Sequence, residues 1–309
     1  MWLSLALAAY ILFAAVTITD KYLLGAPARR MAGPIPDARV YTFYMGILGV
    51  FVLPLALFGI EMENMTLILL GILGGILHTV ALFLFFSALR AGEVSRIGIA
   101  VGGLVPIFTL VFMYIWTKEL PSPLQLVAFF ILMAGSFVII FERFIKLVHN
   151  LKRFGFVLIA SVLFGLYFAL AKFLFEGQSF ISAIVWIRVG AVAVALFFLF
   201  SPDVRKMIFA HKKSPPKKAG VVFLVKNAAG GLASFLQHAA IALARGSEIS
   251  LVSALQGVQF ALVFFGAVFL TKRLPGILKE KIHTEALFVK FLGTGLIVAG
   301  IIILTIAWQ

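Results

Sequence analysis

The residues able to do chemistry are few and sit inside apolar runs. In the second half of the chain Asn227, Gln237 and His238 lie in one such run and Gln256 and Gln259 in the next. His78 stands in the middle of an early run, and Trp186 and Arg188 within a later one. Imidazole can donate, accept or carry a proton near neutral pH, amides can donate and accept, and a guanidinium offers a fork of donors to an anionic group. Tyr10 and Tyr167 add amphipathic hydroxyls that suit a polar cavity or the membrane interface. Together these types bind and orient a small molecule.

They do not form a reaction centre. No His-x₃-His, His-x-x-Glu-His, Gly-x-Ser-x-Gly or aspartate cluster is present, and the chain has no cysteine, so thiolate, disulfide and iron–sulfur chemistry are excluded. No metal, cofactor or catalytic residue is expected, and the protein is not expected to be an enzyme.

The elements that must position these residues follow from composition. The chain is 63% hydrophobic and only 12% charged over 309 residues, unlike the roughly half apolar and quarter charged of a soluble domain. Apolar stretches of span length recur throughout, and in lipid a run of that length is a helix, because backbone groups must be satisfied within the segment. The expected spans are 1–19, 40–60, 65–88, 94–117, 122–141, 155–174, 181–200, 220–243, 249–271 and 286–307. The first is read as a span, since it has no basic leader or small-residue cleavage site and matches a later segment. The longest connections, Asp20–Arg39 and Ser201–Ala219, carry Pro34, Pro36, Pro202, Pro215 and Pro216 and read as loops.

Lateral and internal features refine this plan. Pro106 removes one backbone donor at mid-depth in the fourth expected span; beside Gly98, Gly102 and Gly103 it marks a segment that can kink, gate or pack closely. Arg188 and Lys226 lie a few turns inside their spans, where snorkelling towards the headgroups is the ordinary behaviour of a cation, with an anionic substrate group as the other use for Arg188. Gln237 and Gln259 fall at similar distances from the turn Arg245–Ile249, which places them at one depth where they can face each other, as a structural amide pair or as cavity lining. Glu93 and Glu248 sit beside Arg90 and Arg245 at tight turns, where capping or local pairing is the default.

The chain repeats itself. Arg90-Ala91-Gly92-Glu93-Val94-Ser95 returns as Arg245-Gly246-Ser247-Glu248-Ile249-Ser250, and the same register pairs Gly102 with Gly257. Leu12-Phe13-Ala14 with Lys21 returns as Leu163-Phe164-Gly165 with Lys172, Thr117-Lys118-Glu119-Leu120-Pro121 as Thr271-Lys272-Arg273-Leu274-Pro275, and Ala134-Gly135 as Ala299-Gly300. Two units, 1–148 and 149–309, each hold five expected spans. An odd number per unit makes the second copy enter the membrane upside down, the inverted-repeat plan of secondary transporters with the substrate near the midplane. His78 and His238 then approach the centre from repeat-related helices.

Order and repetition of these motifs, with Phe83-x-x-Phe86-x-Ala88-Leu89 ending the third span and Glu119 before the fifth, resemble the EamA-like family of the drug/metabolite transporter superfamily. Arg273 in place of a second Glu119, and the acidic-aliphatic loop Glu61–Thr66, depart from the pattern. The resemblance implies a basket of ten helices around a central cavity lined by spans one, three, four, six, eight and nine, carrying amino acids or other small metabolites. The overall expectation is an all-α polytopic membrane protein, alone or as a homodimer, in the cell (plasma or inner) membrane, with a small-molecule substrate, membrane lipids and no nucleic acid as partners. A channel or lipid scramblase, and a membrane-embedded enzyme, are the alternatives.

The net charge of +14 is a matter of topology. Most of the Lys and Arg fall in the connections after spans one, three, five, seven and nine, and only a few after the even-numbered ones. The positive-inside rule therefore places the odd-numbered loops in the cytoplasm and both termini outside. Reporter fusions at Gln309 are expected to read out as extracytoplasmic; a cytoplasmic C-terminus would reverse the assignment.

Overall fold

The computed structural model describes residues 1–23, 37–62, 64–90, 94–148, 151–209, 217–273 and 284–307. The turn expected at 91–93 and the connections 24–36, 210–216 and 274–283 lie outside the described residues. Among those described, every regular element is a helix, as a chain that must satisfy its backbone in lipid requires. In order they are α1 (Trp2–Leu23), α2 (Ala38–Ile47), α3 (Met65–Arg90), α4 (Val94–Thr117), α5 (Pro123–Val148), α6 (Leu151–Gly177), α7 (Phe180–Phe198), the short α8 (Pro202–Phe209), α9 (Lys217–Leu243), α10 (Ile249–Ala254), α11 (Gln256–Arg273) and α12 (Thr284–Ala307).

Among the described residues, six stretches are long and apolar enough to cross a membrane: Trp2–Thr19, Ala38–Phe58, Met65–Ala88, Ala100–Thr117, Phe154–Gly177 and Phe180–Phe198. Pro123–Ile139 and Phe291–Ala307 are shorter apolar helices. The chain is thus a multi-pass integral membrane protein.

Two elements differ from the expected simple spans. The second begins as α2 and continues as a 3₁₀ helix over Leu48–Phe58, with Pro54 inside it and Gly59 ending it at φ +111°. At about 1.5 and then 2.0 Å per residue the combined element reaches roughly 37 Å, enough to cross ~30 Å of hydrocarbon. The ninth, expected as one helix over 249–271, is broken into α10 and α11 at Leu255. There the ladder tightens, since Leu255 N–H donates to the Leu251 carbonyl (3.1 Å) but Val258 N–H reaches only three residues back, to the Leu255 carbonyl (2.9 Å). Ser253, whose hydroxyl donates to the Ser250 carbonyl at 2.8 Å, offers the local backbone a competing partner.

Helices in lipid gain no hydrophobic driving force from each other, so close backbone approach has to supply the contact energy. α3 packs against α6 and α7, α1 against α9 and α11, α4 against α6 and α10, α2 with its 3₁₀ extension against α7, and α5 against α12. At the α3–α7 crossing, a Cβ on Gly75 would overlap the Ile187 carbonyl oxygen and one on Gly190 would overlap that of Ile72. At the α5–α12 crossing, a Cβ on either Gly135 or Gly293 would come within 2.7 Å of the other's carbonyl oxygen. These positions hold glycine because the opposing backbone occupies the space of a side chain.

A matched pair on α12 tests this: Gly293→Ala is expected to destabilise the detergent-solubilised protein by about 1–3 kcal/mol. Gly295→Ala, whose Cβ meets nothing within 4 Å, is expected to leave unfolding unchanged. Equal effects of the two substitutions in denaturant unfolding would refute the packing account.

Candidate functional site

Most buried hydroxyls drop out as ligand groups because their own helix satisfies them. Thr42, Thr79, Thr109, Ser136 and Ser161 each donate to the carbonyl four residues back at 2.8–2.9 Å. What remains is a polar cluster organised around one face of α9, where Ser234, Gln237 and His238, spaced at i, i+3 and i+4, point the same way.

His238 is 4% exposed and its Nε2 makes a short contact with the hydroxyl of Tyr167 on α6. His78, on α3, lies against the same tyrosine with ring centroids 4.7 Å apart, and against Phe164 at 5.7 Å. Tyr167 therefore stands between the two histidines. Phe175 packs edge-on to His238 at 5.9 Å and stacks on Phe180 at 5.2 Å, closing an aromatic wall around the imidazole.

Gln237 donates through Nε2 to the hydroxyl of Tyr10 on α1 at 3.2 Å, and Tyr10 is 1% exposed. Gln259, on α11, donates to Thr17 Oγ1 at 3.1 Å. The expected facing of Gln237 and Gln259 is thus not what forms: both amides turn to α1, which packs against α9 and α11 and offers hydroxyls two turns apart on one face. Gln256 lies beside Gly102, where an added Cβ would come within 3.1 Å of its amide carbon and would also overlap the Phe260 ring. Gly102 and Gly103 are buried, and α4 runs through the buried Pro106 without a break.

The cations behave differently from ordinary snorkelling residues. Arg188 sits mid-way along α7 and donates from Nη2 to Ser234 Oγ at 2.9 Å, while its Nε is buried without a hydrogen-bond partner. Ser234 in turn lies 3.5 Å from His238 Nδ1, so guanidinium, hydroxyl, imidazole and phenol form one chain across α7, α9 and α6. Lys226 is 5% exposed, with Nζ 6.0 Å from the centroid of the Tyr41 ring of α2, so it too turns inward. Trp186 and Asn227 are half-buried and leave Nε1 and Nδ2 unpartnered.

Three participants escaped the reading of the sequence. Ser234 links Arg188 to His238; its position one helical turn before His238 was the available signal. Lys172 is buried at the end of α6, bridging Glu176 at 3.1 Å and the Ala242 carbonyl of α9 at 3.2 Å. Gln125 holds Glu248 at 3.3 Å, and the same carboxylate accepts the Arg245 N–H at 2.8 Å, so Glu248 caps the turn and ties it to α5. Among the described residues no group of three metal-ligating side chains occurs.

Comparison with known proteins agrees with this architecture. A crystal structure described only as that of a protein superposes with a TM-score of 0.67 at 15% identity, over 99% of this chain and 96% of that one, a likeness of fold. No curated protein matches the chain. The family model of the EamA-like transporter family, which belongs to the drug/metabolite transporter superfamily, matches residues 1–141.

Proposed function

We propose that the protein is a secondary transporter or facilitator of a small organic metabolite, built as ten transmembrane helices in two inverted repeats, 1–148 and 149–309. The helix pairing supports the repeat: α1 packs on α9 and α11 as its counterpart α6 packs on α3 and α4, while α5 meets its own counterpart α12 and α2 meets α7. The substrate binds at the junction of the repeats, among His78, Gln237, His238, Gln256, Gln259, Asn227, Tyr10, Tyr167, Trp186 and Arg188, with Gly102, Gly103 and Pro106 letting α4 adjust around it. The protein sits in the cell membrane, as a monomer or homodimer.

One observation carries the reading. Tyr10 and Tyr167, at different positions on the repeat-related helices α1 and α6, both meet polar side chains of α9 in the interior, Gln237 and His238. Polar groups from both halves therefore converge at one depth, where hydrocarbon alone would leave them unsatisfied.

The carboxylates whose side chains are described, Asp37, Glu61, Glu119, Glu176, Asp203 and Glu248, all lie near helix ends or in turns. Proton- and sodium-driven carriers commonly place an acid at mid-depth. The protein accordingly works as a facilitator or exchanger, driven by the substrate gradient.

In proteoliposomes counterflow is expected to run without an ion gradient, and Tyr167→Phe to slow it roughly 5- to 150-fold, the effect of about 1–3 kcal/mol for a buried partner left unpaired. Unchanged flux in Tyr167→Phe would remove this cluster from the transport site. Concentrative uptake under an imposed proton gradient, abolished by His238→Ala, would replace the facilitator with a histidine-coupled carrier.

A further inference from the structure

The polar interior is lopsided in the sign of what it lacks. Among the described residues the buried side-chain atoms without a hydrogen-bond partner are Trp2 Nε1, Gln178 Nε2, Trp186 Nε1, Arg188 Nε and Asn227 Nδ2, and every one is an N–H donor. Three of the five belong to α7 and α9, the helices joined by the Arg188–Ser234 bond. A binding site whose open valences were mixed would suit a neutral or zwitterionic molecule. This one asks for acceptors.

Charge points the same way. Arg188 lies eight residues from one end of α7 and ten from the other, roughly 12 and 15 Å along the axis, too deep for the headgroups to neutralise it without strain. Its bonding partner is a hydroxyl, and the described carboxylates are engaged elsewhere or lie at helix ends. Glu176 is exposed and pairs with Lys172, Glu248 caps its turn, and Glu61 accepts the Ser179 N–H at 3.1 Å. A guanidinium at depth with a donor to spare is set up to take a carboxylate in a charge-assisted, two-pronged hydrogen bond.

We infer that this site takes an organic anion, a carboxylate on an apolar body without an ammonium group, with Arg188 as the anchor and the aromatic wall of Phe164, Tyr167 and Phe175 receiving the body. The inference rests on the transport reading of the cluster. It separates the substrate from free amino acids, because an ammonium beside the carboxylate would meet Arg188 with no described acid at that depth to balance it. Aromatic faces would attract the ammonium only weakly by comparison.

Binding to purified, detergent-solubilised protein tests the inference with matched probes: phenylacetate and hexanoate, their amides, and the amino acids phenylalanine and norleucine. The acids are expected to bind about ten- to a hundredfold more tightly than the matched amides and amino acids, the worth of a charge-assisted pair. Arg188→Gln is expected to erase that preference and Arg188→Lys to keep part of it, with monodispersity and an unchanged melting temperature certifying the fold of both. Equal or tighter binding of the amides or amino acids, no binding of either acid, or an acid preference that survives Arg188→Gln would overturn it. Flux of the same probes in proteoliposomes separates the two claims. Acids that bind but never cross would sink the transport reading and leave the anion site standing; amino acids that cross in preference to acids would do the reverse.

Discussion

A polar side chain surrounded by hydrocarbon has no water to fall back on, and that constraint orders this molecule. It makes every span helical, and it sends most buried threonines and serines back to their own helix carbonyls. Only groups too large for that solution, the tyrosines, histidines, glutamines and Arg188, must look across to other helices. Four of the inter-helical hydrogen bonds they make, Tyr10 with Gln237, Thr17 with Gln259, Tyr167 with His238 and Arg188 with Ser234, run through α9 or its neighbour α11.

Such contacts need helices held at defined separations, and glycine provides them. The backbones of α3 and α7 meet through Gly75 and Gly190, and those of α5 and α12 through Gly135 and Gly293. The α3–α7 contact fixes His78 and Arg188 relative to each other. The α5–α12 contact lies beyond the polar cluster but steadies α5, which holds the Glu248 turn through Gln125 and receives Gly257 of α11 against Ser136. Packing of small residues at the periphery thus sets the geometry of polar residues at the centre.

Much of this was legible in the sequence. Among the described residues hydropathy located six stretches able to span, because length and apolarity are what lipid selects, and of the polar residues singled out Tyr10, Tyr167, Arg188, Gln237, His238 and Gln259 bond across to other helices. The break at Leu255 was not legible, since residues 249–271 have the same apolarity whether the helix is straight or stepped. Gln237 and Gln259 were expected to face each other because hairpin geometry gives depth but not the identity of a third helix; α1 took both. Lys226 and Arg188 read as snorkelling cations, because a sequence shows distance from a span end and not the aromatic ring or hydroxyl waiting inside. Ser234 was passed over as a small hydroxyl among many, its role set by Arg188 on a different helix.

The central claim is that the polar cluster around α9 belongs to a single interior site reached from both faces of the membrane. The native chain has no cysteine, so single cysteines can be placed without background. The most direct measurement is labelling of Gln237→Cys and Gln259→Cys by a membrane-impermeant thiol reagent added to one side or the other of sealed vesicles holding the protein in a single orientation. The account predicts reaction from both sides at both positions, against none at a lipid-facing control such as Ile302→Cys. Cysteines at 237 and 259 that stay unreactive from both sides, or react from one side only under all conditions, would contradict it.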